Sequence, residues 1–264
     1  MTEHSRVDGL PVDLEIVRMT EERLVNVWPA VSTMLMDGWA VRLANGYSSR
    51  ANSASPVVLG AAMPDKLIDC VESLYTKAGL LPTFRITPLA AMDVELRLLQ
   101  RGYHIKDEAL TMTACLSNME TAPVDARVLL EGAPSSAWLS GVSCRQEPSK
   151  QSADHLLAIV GQLRVSSVFA TTQVLDKDIG FGMAAIDRDW AEISSVLLDA
   201  AHRGQGFGRV TVNALLQWAS ARNASHAFLQ VSAQNSVARG LYRRLGFKEL
   251  CGYKTLVKAS HPHL

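Results

Sequence analysis

From Leu14 onward, apolar residues recur at Ile16, Met19, Leu24, Val27, Val31 and Leu35. That spacing predicts an amphipathic helix reaching Met36, or two short ones broken at Trp28-Pro29, where proline cannot donate to the preceding turn. Asp37-Gly38 then turns the chain into a strand, Trp39 to Ala44, and Asn45-Gly46 is a hairpin signal. A polar run from Tyr47 to Pro56 follows. Beyond it the pattern predicts a helix from about Asp65 to Lys77, a strand at Thr83 to Thr87 and a helix from about Leu89 to Gln100. Strands near His104 to Lys106 and at Ala109 to Leu116 close this half. The stretch Ser117 to Asp125 is polar, contains Pro123 and has no period, so it reads as a linker.

The second half reads as a strand (Ala126 to Leu130), helices (Ser135 to Ser143 and Ser152 to Leu163) and three strands (Ser167 to Thr172, Lys177 to Asp187, Glu192 to Leu198). Turns at Asp176-Lys177-Asp178 and Asp187-Arg188-Asp189 separate those strands. A glycine-rich turn then leads into a helix ending near Arg222. A strand at Ala227 to Val231, a helix at Ser236 to Leu245 and closing strands at Phe247 to Lys258 complete the chain. Set against each other at an offset of 144 residues, the halves align Gly60 with Gly204, Phe84 with Phe228, Gly102 with Gly246 and Tyr103 with Phe247. The order helix, strand, helix, Gly-aromatic, strand is shared, which reads as two diverged copies of one domain, or as common α/β grammar alone. The expected division is 1–118 and 119–264.

Composition narrows the class. With 48% hydrophobic and 20% charged residues, a chain of 264 residues can bury a sizeable core. Lys plus Arg equals Asp plus Glu at 26 each, so no basic footprint for nucleic acid is present. No apolar run approaches the ~18 residues of a membrane span. Residues 1–12 are polar and mixed in charge, unlike a signal peptide. Cys70, Cys115, Cys144 and Cys251 are far apart and read as reduced, mostly buried thiols of a cytoplasmic protein.

Candidate chemistry concentrates at Leu197-Leu-Asp-Ala-Ala-His-Arg-Gly-Gln-Gly-Phe-Gly208, between a strand pattern and a helix pattern. Glycine lets the backbone bend sharply and bring its N–H groups to a ligand, and a helix N-terminus adds unpaired donors and partial positive charge. Together they suit a pyrophosphate. A P-loop would need Lys-Ser/Thr after the glycines, where the chain has Arg209-Val210. A dinucleotide fold would need Gly-x-Gly-x-x-Gly, which Gly204-x-Gly206-x-Gly208 does not satisfy. A purely structural glycine turn is the bland alternative. The stretch resembles the Arg/Gln-x-x-Gly-x-Gly/Ala signature of the GNAT superfamily of N-acetyltransferases, as Arg203-x-x-Gly206-x-Gly208.

A second block, Asn235-x-x-Ala238-x-x-Leu241-Tyr242-x-x-x-Gly246-Phe247, is similar to another GNAT pattern at every named position. The resemblance covers about Asp176 to Leu256. It implies an α/β (α+β) fold of two GNAT-like domains, each a mixed, mostly antiparallel central sheet flanked by helices. It also implies an acyltransferase that moves an acetyl group from acetyl-CoA directly to the primary amine of a small molecule or of a peptide or protein. Opposite the glycine loop the first half has Leu59-Gly-Ala-Ala-Met-Pro64, with the arginine gone and a proline in the last glycine's place, so the second half is expected to carry the cofactor.

By the same resemblance, Val196, Leu197 and Leu198 pair with the pantetheine arm, and the backbone N–H of Leu198 faces the thioester carbonyl. The amides of Arg203, Gly204, Gln205, Gly206, Phe207 and Gly208 hold the pyrophosphate, and Asn235 contacts the cofactor. Tyr242 is the general acid toward sulfur; otherwise it is a half-buried helix tyrosine. Glu192, 11 residues before Arg203, is the candidate base, or an ordinary strand-end charge, and His202 is a further candidate. Arg50 and Asn52 either line a substrate cleft or belong to a solvated loop. No metal-ligand spacing and no Ser-His-Asp or Cys-His arrangement is identifiable. The rival reading is a non-catalytic acyl-CoA-binding regulatory protein. The identity of the acceptor and the oligomeric state have no signature in the sequence.

Overall fold

The computed structural model describes residues 6–7, 10–118, 126–146 and 152–258, with side chains described from residue 12 onward and not at 118 or 146. The residues fall into two compact units, and neither is one continuous stretch. One comprises 1–111, 231–234 and 249–264; the other comprises 112–230 and 235–248.

In the first unit, β1 (Arg6–Val7) pairs with β2 (Leu10–Pro11), and α1 runs over Leu14–Val27. Asp13 caps α1, its carboxylate accepting from the amides of Glu15 and Ile16 at 3.1 and 3.2 Å. The expected continuation of the helix to Met36 does not form. Ser32–Met36 is β3, which pairs antiparallel with β4 (Trp39–Leu43) across Asp37-Gly38. Both turn residues are left-handed, at φ 46° and 86°, so this Asp-Gly turn makes the hairpin and overrides the helical spacing before it. Asn45-Gly46 is left-handed as well but opens a longer connection to β5 (Ala54–Pro56), which pairs antiparallel with β4. Asn52 holds that connection. It is buried, accepts from the amides of Ala44 and Gly46, and donates to the carbonyls of Ala44, Tyr47 and Ser48.

Next come α2 (Asp65–Lys77), β6 (Thr83–Ile86), α3 (Val94–Gln100) and β7 (Tyr103–Cys115), whose last four residues belong to the second unit. The expected helix start at Leu89 is displaced to Val94, because Ala61 and Ala90 form a parallel bridge there. The two strands expected around His104 to Leu116 are one. Strand order is β3-β4-β5-β6-β13, where β13 is Lys248–Lys258, a single strand at the end of the described chain. β5 runs parallel to β6, and β13 antiparallel to it.

The two faces of this sheet differ in chemistry. Trp39, Val41, Ala54, Phe84, Ile86 and Leu256 join Leu67, Ile68, Val71 and Leu98 of α2 and α3 in an apolar core. Alternation sends Arg42, Ser53, Ser55 and Arg85 to the other face, where all four are buried. Glu21 of α1 meets Arg85 there through both carboxylate oxygens, one at 2.8 Å, and the guanidinium lies 4.0 Å from the centroid of the Tyr253 ring.

In the second unit, β8 (Arg127–Glu131) is followed by α4 (Ser136–Gln146), α5 (Ser152–Val160), β9 (Ser166–Val174), β10 (Lys177–Asp187) and β11 (Trp190–Leu198). Then come α6 (Phe207–Ser220), β12 (His226–Ser232) and α7 (Ser236–Arg244). Strand order is β8-β9-β10-β11-β12, antiparallel except for the parallel pair β11-β12. The meander, helix, parallel strand and helix of the first unit therefore recur. Gly60 and Gly204 are left-handed at φ 70° and 76°, and Gly102 and Gly246 at 86° and 84°. The fold is α/β, with mixed, mostly antiparallel sheets flanked by helices. Of the expected linker, residues 119–125 lie outside the described residues.

Candidate functional site

The site belongs to the second unit and begins where β11 leaves β12. The two strands pair at Trp190–Glu192 with His226–Phe228, and past Glu192 no pairing continues on that edge of β11 among the described residues. On its other edge β11 still follows β10, with Phe181 opposite Leu197 and Gly180 opposite Leu198. A β-bulge interrupts this ladder: Phe181 faces Leu197 but Met183 faces Ser194, so Gly182 alone opposes Ser195 and Val196. Ser195 is left-handed at φ 52°, a conformation that costs a non-glycine residue energy and that active sites tolerate more often than other regions. The hydroxyls of Ser194 and Ser195 are buried and have no hydrogen-bond partner among the described residues.

The glycine loop follows. The Asp199 amide donates to Ile179 O at 2.8 Å, closing the strand. Residues 200–202 form one 3-10 turn, and Gly204 and Gly206 then take φ of 76° and 91°. Gly206 caps α6 without a side chain, and its carbonyl receives the amides of Arg209 and Val210 at 3.0 and 3.2 Å. The amides of Gly204, Gln205, Gly206, Phe207 and Gly208 have no acceptor among the described residues. These are five consecutive donors at the positive end of a helix of 14 residues. Side chains brace the loop from within: Gln205 Nε2 donates to Ala201 O at 2.9 Å, and Arg203 Nε to Leu198 O at 3.4 Å. A Cβ on Gly204 or Gly206 would meet nothing within 4 Å, so both face open space.

The two sequence blocks meet at Gly208. A Cβ there would sit 3.3 Å from both Leu198 Cδ1 and Leu241 Cδ2, which places strand end, loop and α7 against one another. Asn235 caps α7, its Oδ1 accepting from the Ala238 amide at 3.0 Å, so its carbonyl oxygen already has a structural task. Tyr242 is buried, with its ring 5.9 Å edge-on from Phe247. Glu192 is fully buried in the paired part of β11, opposite Ala185 and Phe228. His202 lies edge-on to Phe207 at 6.0 Å. Val196, Leu197 and Leu198 are half-buried along the edge that has left β12.

The corresponding stretch of the first unit is arranged differently. At the place of the glycine loop, the Ala61 amide donates to Leu89 O and the Ala91 amide to Ala61 O, both at 3.0 Å. Pro64, without an N–H, caps α2. The bridge takes up one of the corresponding donors, the Ala61 amide opposite Gln205, and Pro64 opposite Gly208 has no N–H to offer. Arg50, a candidate cleft residue, lies over the Trp28 ring at 4.4 Å.

Three of the four thiols expected to be buried are exposed: Cys70, Cys115 and Cys144. Among the described residues no group of three or more His, Cys, Asp and Glu comes together as a metal site would require. The bulge, and the packing of α4 against β10, are features that the sequence did not announce. Ser-Ser inside an Ile/Val/Leu run reads as plain strand, and the residues α4 touches lie far away along the chain.

Its family and its curated relatives make the protein an acyltransferase of the GCN5-related N-acetyltransferase class, in keeping with the fold. The family described as "Probable histone acetyltransferase Rv0428c C-terminal" matches residues 15–255, and the chain belongs to it. It is 25% identical over 249 residues to "Uncharacterized N-acetyltransferase YobR" of Bacillus subtilis, covering 93% of this chain and all of that one. The streptothricin acetyltransferase of Streptomyces lavendulae is 38% identical over 60 residues, 23% of this chain and 31% of that protein. Among solved structures, a GCN5-related N-acetyltransferase from Kribbella flavida shares the fold at a TM-score of 0.71 and 12% identity, covering 93% of this chain and 95% of that one. A tandem GNAT protein from the clavulanic acid biosynthesis pathway does so at 0.58 and 12% identity, covering 75% and 70%.

Proposed function

We propose that the protein is a cytoplasmic, acetyl-CoA-dependent N-acetyltransferase acting on a primary amine of a small molecule, peptide or protein. The reading assigns the chemistry to residues within 119–264 and treats 1–118 as a degenerate copy. What carries it is the row of five unpartnered amides from Gly204 to Gly208 at the head of α6, beside the free edge of β11. A diphosphate is the ligand such a row suits. The open edge of Val196 to Leu198 offers strand-like hydrogen bonds to the amide groups of a pantetheine arm.

Bound there, the cofactor supplies a thioester carbonyl and a thiolate leaving group. The protein's own residues do the rest. The Leu198 N–H meets the charge that builds on the carbonyl oxygen. Tyr242 donates its phenolic proton to the departing sulfur. A free alkylamine, with a pKa near ~10, arrives protonated, and Glu192 draws its proton away. Asn235 fixes the start of α7 and so the placement of Tyr242. Transfer is direct, since no cysteine takes part as an acyl carrier. The relatives' names give streptothricin, a ribosomal protein and a histone as acceptors, which supports an amine acceptor in general.

The test is a calorimetric titration with coenzyme A followed by a screen of amines with thiol release as readout. One equivalent bound per chain, lost in Gly206→Ala, is the expected result. No uptake overturns the reading.

A further inference from the structure

We propose that α4 is a clamp on the cofactor-binding segment: Trp138 positions the bulge in β11 and Arg145 positions the head of the glycine loop. The inference rests on the function proposed above and adds two positioning residues to it.

Trp138, Gly141 and Arg145 are spaced by three and four residues, so they share one face of α4. That face lies on β10 where β10 opposes the reacting part of β11. Trp138 is fully buried, and its indole N–H donates to Gly182 O at 3.0 Å. Gly182 is the residue opposite the bulge, where the ladder between β10 and β11 is disrupted. The indole thus satisfies a carbonyl at the point of disruption. Gly182 has no freedom to shift toward α6, because even a Cβ there would lie 2.9 Å from Leu215 and 3.2 Å from Thr211. One turn on, Gly141 passes so close to the Phe181 ring that a Cβ would collide with it, and Phe181 is the partner of Leu197.

Arg145 ends the face. Its Nε donates to Asp199 Oδ1 at 2.9 Å, a second guanidinium nitrogen reaches the same oxygen, and Nη1 caps α4 through Gly141 O at 2.7 Å. The guanidinium also stands 4.9 Å over the Phe181 ring. Asp199 is the first residue after β11, and its amide is tied to Ile179 O. Every bond Asp199 makes therefore sets the direction in which the loop sets out. A sub-ångström displacement of a segment that positions reactants is felt in the rate or in binding, even when the residue responsible touches neither reactant.

The two ends of the clamp have different signatures. In the full chain, Arg145→Ala and Asp199→Ala are each expected to weaken coenzyme A binding about tenfold by calorimetry, with kcat at saturating cofactor held within about twofold. The double variant should be no worse than either single one, because both remove the same contact. Arg145→Lys should recover at least half of the lost affinity. Trp138→Phe keeps an aromatic ring against Phe169 but removes the N–H, and is expected to lower kcat about tenfold while affinity stays within about twofold. Thermal midpoints measured alongside separate positioning from stability: a lowered midpoint with unchanged binding and kcat overturns the clamp. A wild-type chain that binds no coenzyme A overturns the proposed function and the clamp with it. A wild type that binds and turns over, with Arg145→Ala and Asp199→Ala equal to it, overturns the clamp alone.

Discussion

Tyr242 and the cysteines show how much one side chain's surroundings decide. Tyr242 is buried beside Phe247 on the helix whose Leu241 touches Gly208, so its ring is fixed before any ligand arrives. Replacing it with Phe keeps the ring and removes the proton. The expected outcome is a fall in kcat of about 100-fold, the scale of one general acid, with coenzyme A affinity nearly unchanged. Steady-state kinetics and calorimetry on the same variant check it. The thiols differ in the same local way. The Ser117 hydroxyl beside exposed Cys115, with help from backbone amides, lowers its pKa, whereas burial pushes Cys251 up to about 12. Iodoacetamide should therefore label Cys115 in the folded protein and leave Cys251 untouched, and Ser117→Ala should slow the labelling. Because folded Cys251 keeps a proton that the unfolded chain releases above its ordinary value of 9.0, stability should fall as pH rises from about 9 toward 12. Cys251→Ala should flatten that part of the profile.

At the scale of elements, the glycine loop was legible because its backbone conformation restricts residue choice so strongly. Only glycine takes φ of 91° at Gly206 without strain, and only a small residue fits between Leu198 and Leu241 at Gly208. Gly206→Ala should cost roughly 1–2 kcal/mol in stability by that strain, and should also misdirect the following amides, so cofactor uptake falls further than the thermal midpoint. The β3-β4 hairpin was misread for a physical reason: two left-handed residues at Asp37-Gly38 decide the local fold against a helical spacing of apolar residues. The role of α4 could not be read at all. Trp138 and Arg145 act on partners 44 and 54 positions away, and no short-range pattern encodes such pairings. The buried pair of Glu21 and Arg85 was equally silent, being 64 positions apart. Glu21→Gln would leave a buried guanidinium without its counter-charge and should destabilise the protein by about 3–5 kcal/mol in denaturant titrations.

At the scale of the whole molecule, the duplicated pattern was visible from Gly60 and Gly204, Gly102 and Gly246, because positive φ is required at both members of each pair. What the alignment of halves concealed is how the copies diverged. The first unit forms a bridge between Ala61 and Ala90 where the second leaves its amides open. The second unit leaves the Gln205 amide open, and the first ties up its counterpart, the Ala61 amide.

The placement of β13 bears on biosynthesis. This strand pairs with β6, yet it is the last element of the described chain to leave a ribosome. The sheet of the first unit must therefore wait, one edge uncovered, until residues 248–258 have been made, a long-range closure of the kind that slows folding and exposes nascent chains to aggregation. Stalled chains ending before residue 248 should be degraded rapidly by added protease within residues 12–111, and chains carrying residues through 258 should resist it. Residues 12–111, though translated ahead of the second unit, would mature only after residues 248–258 arrive.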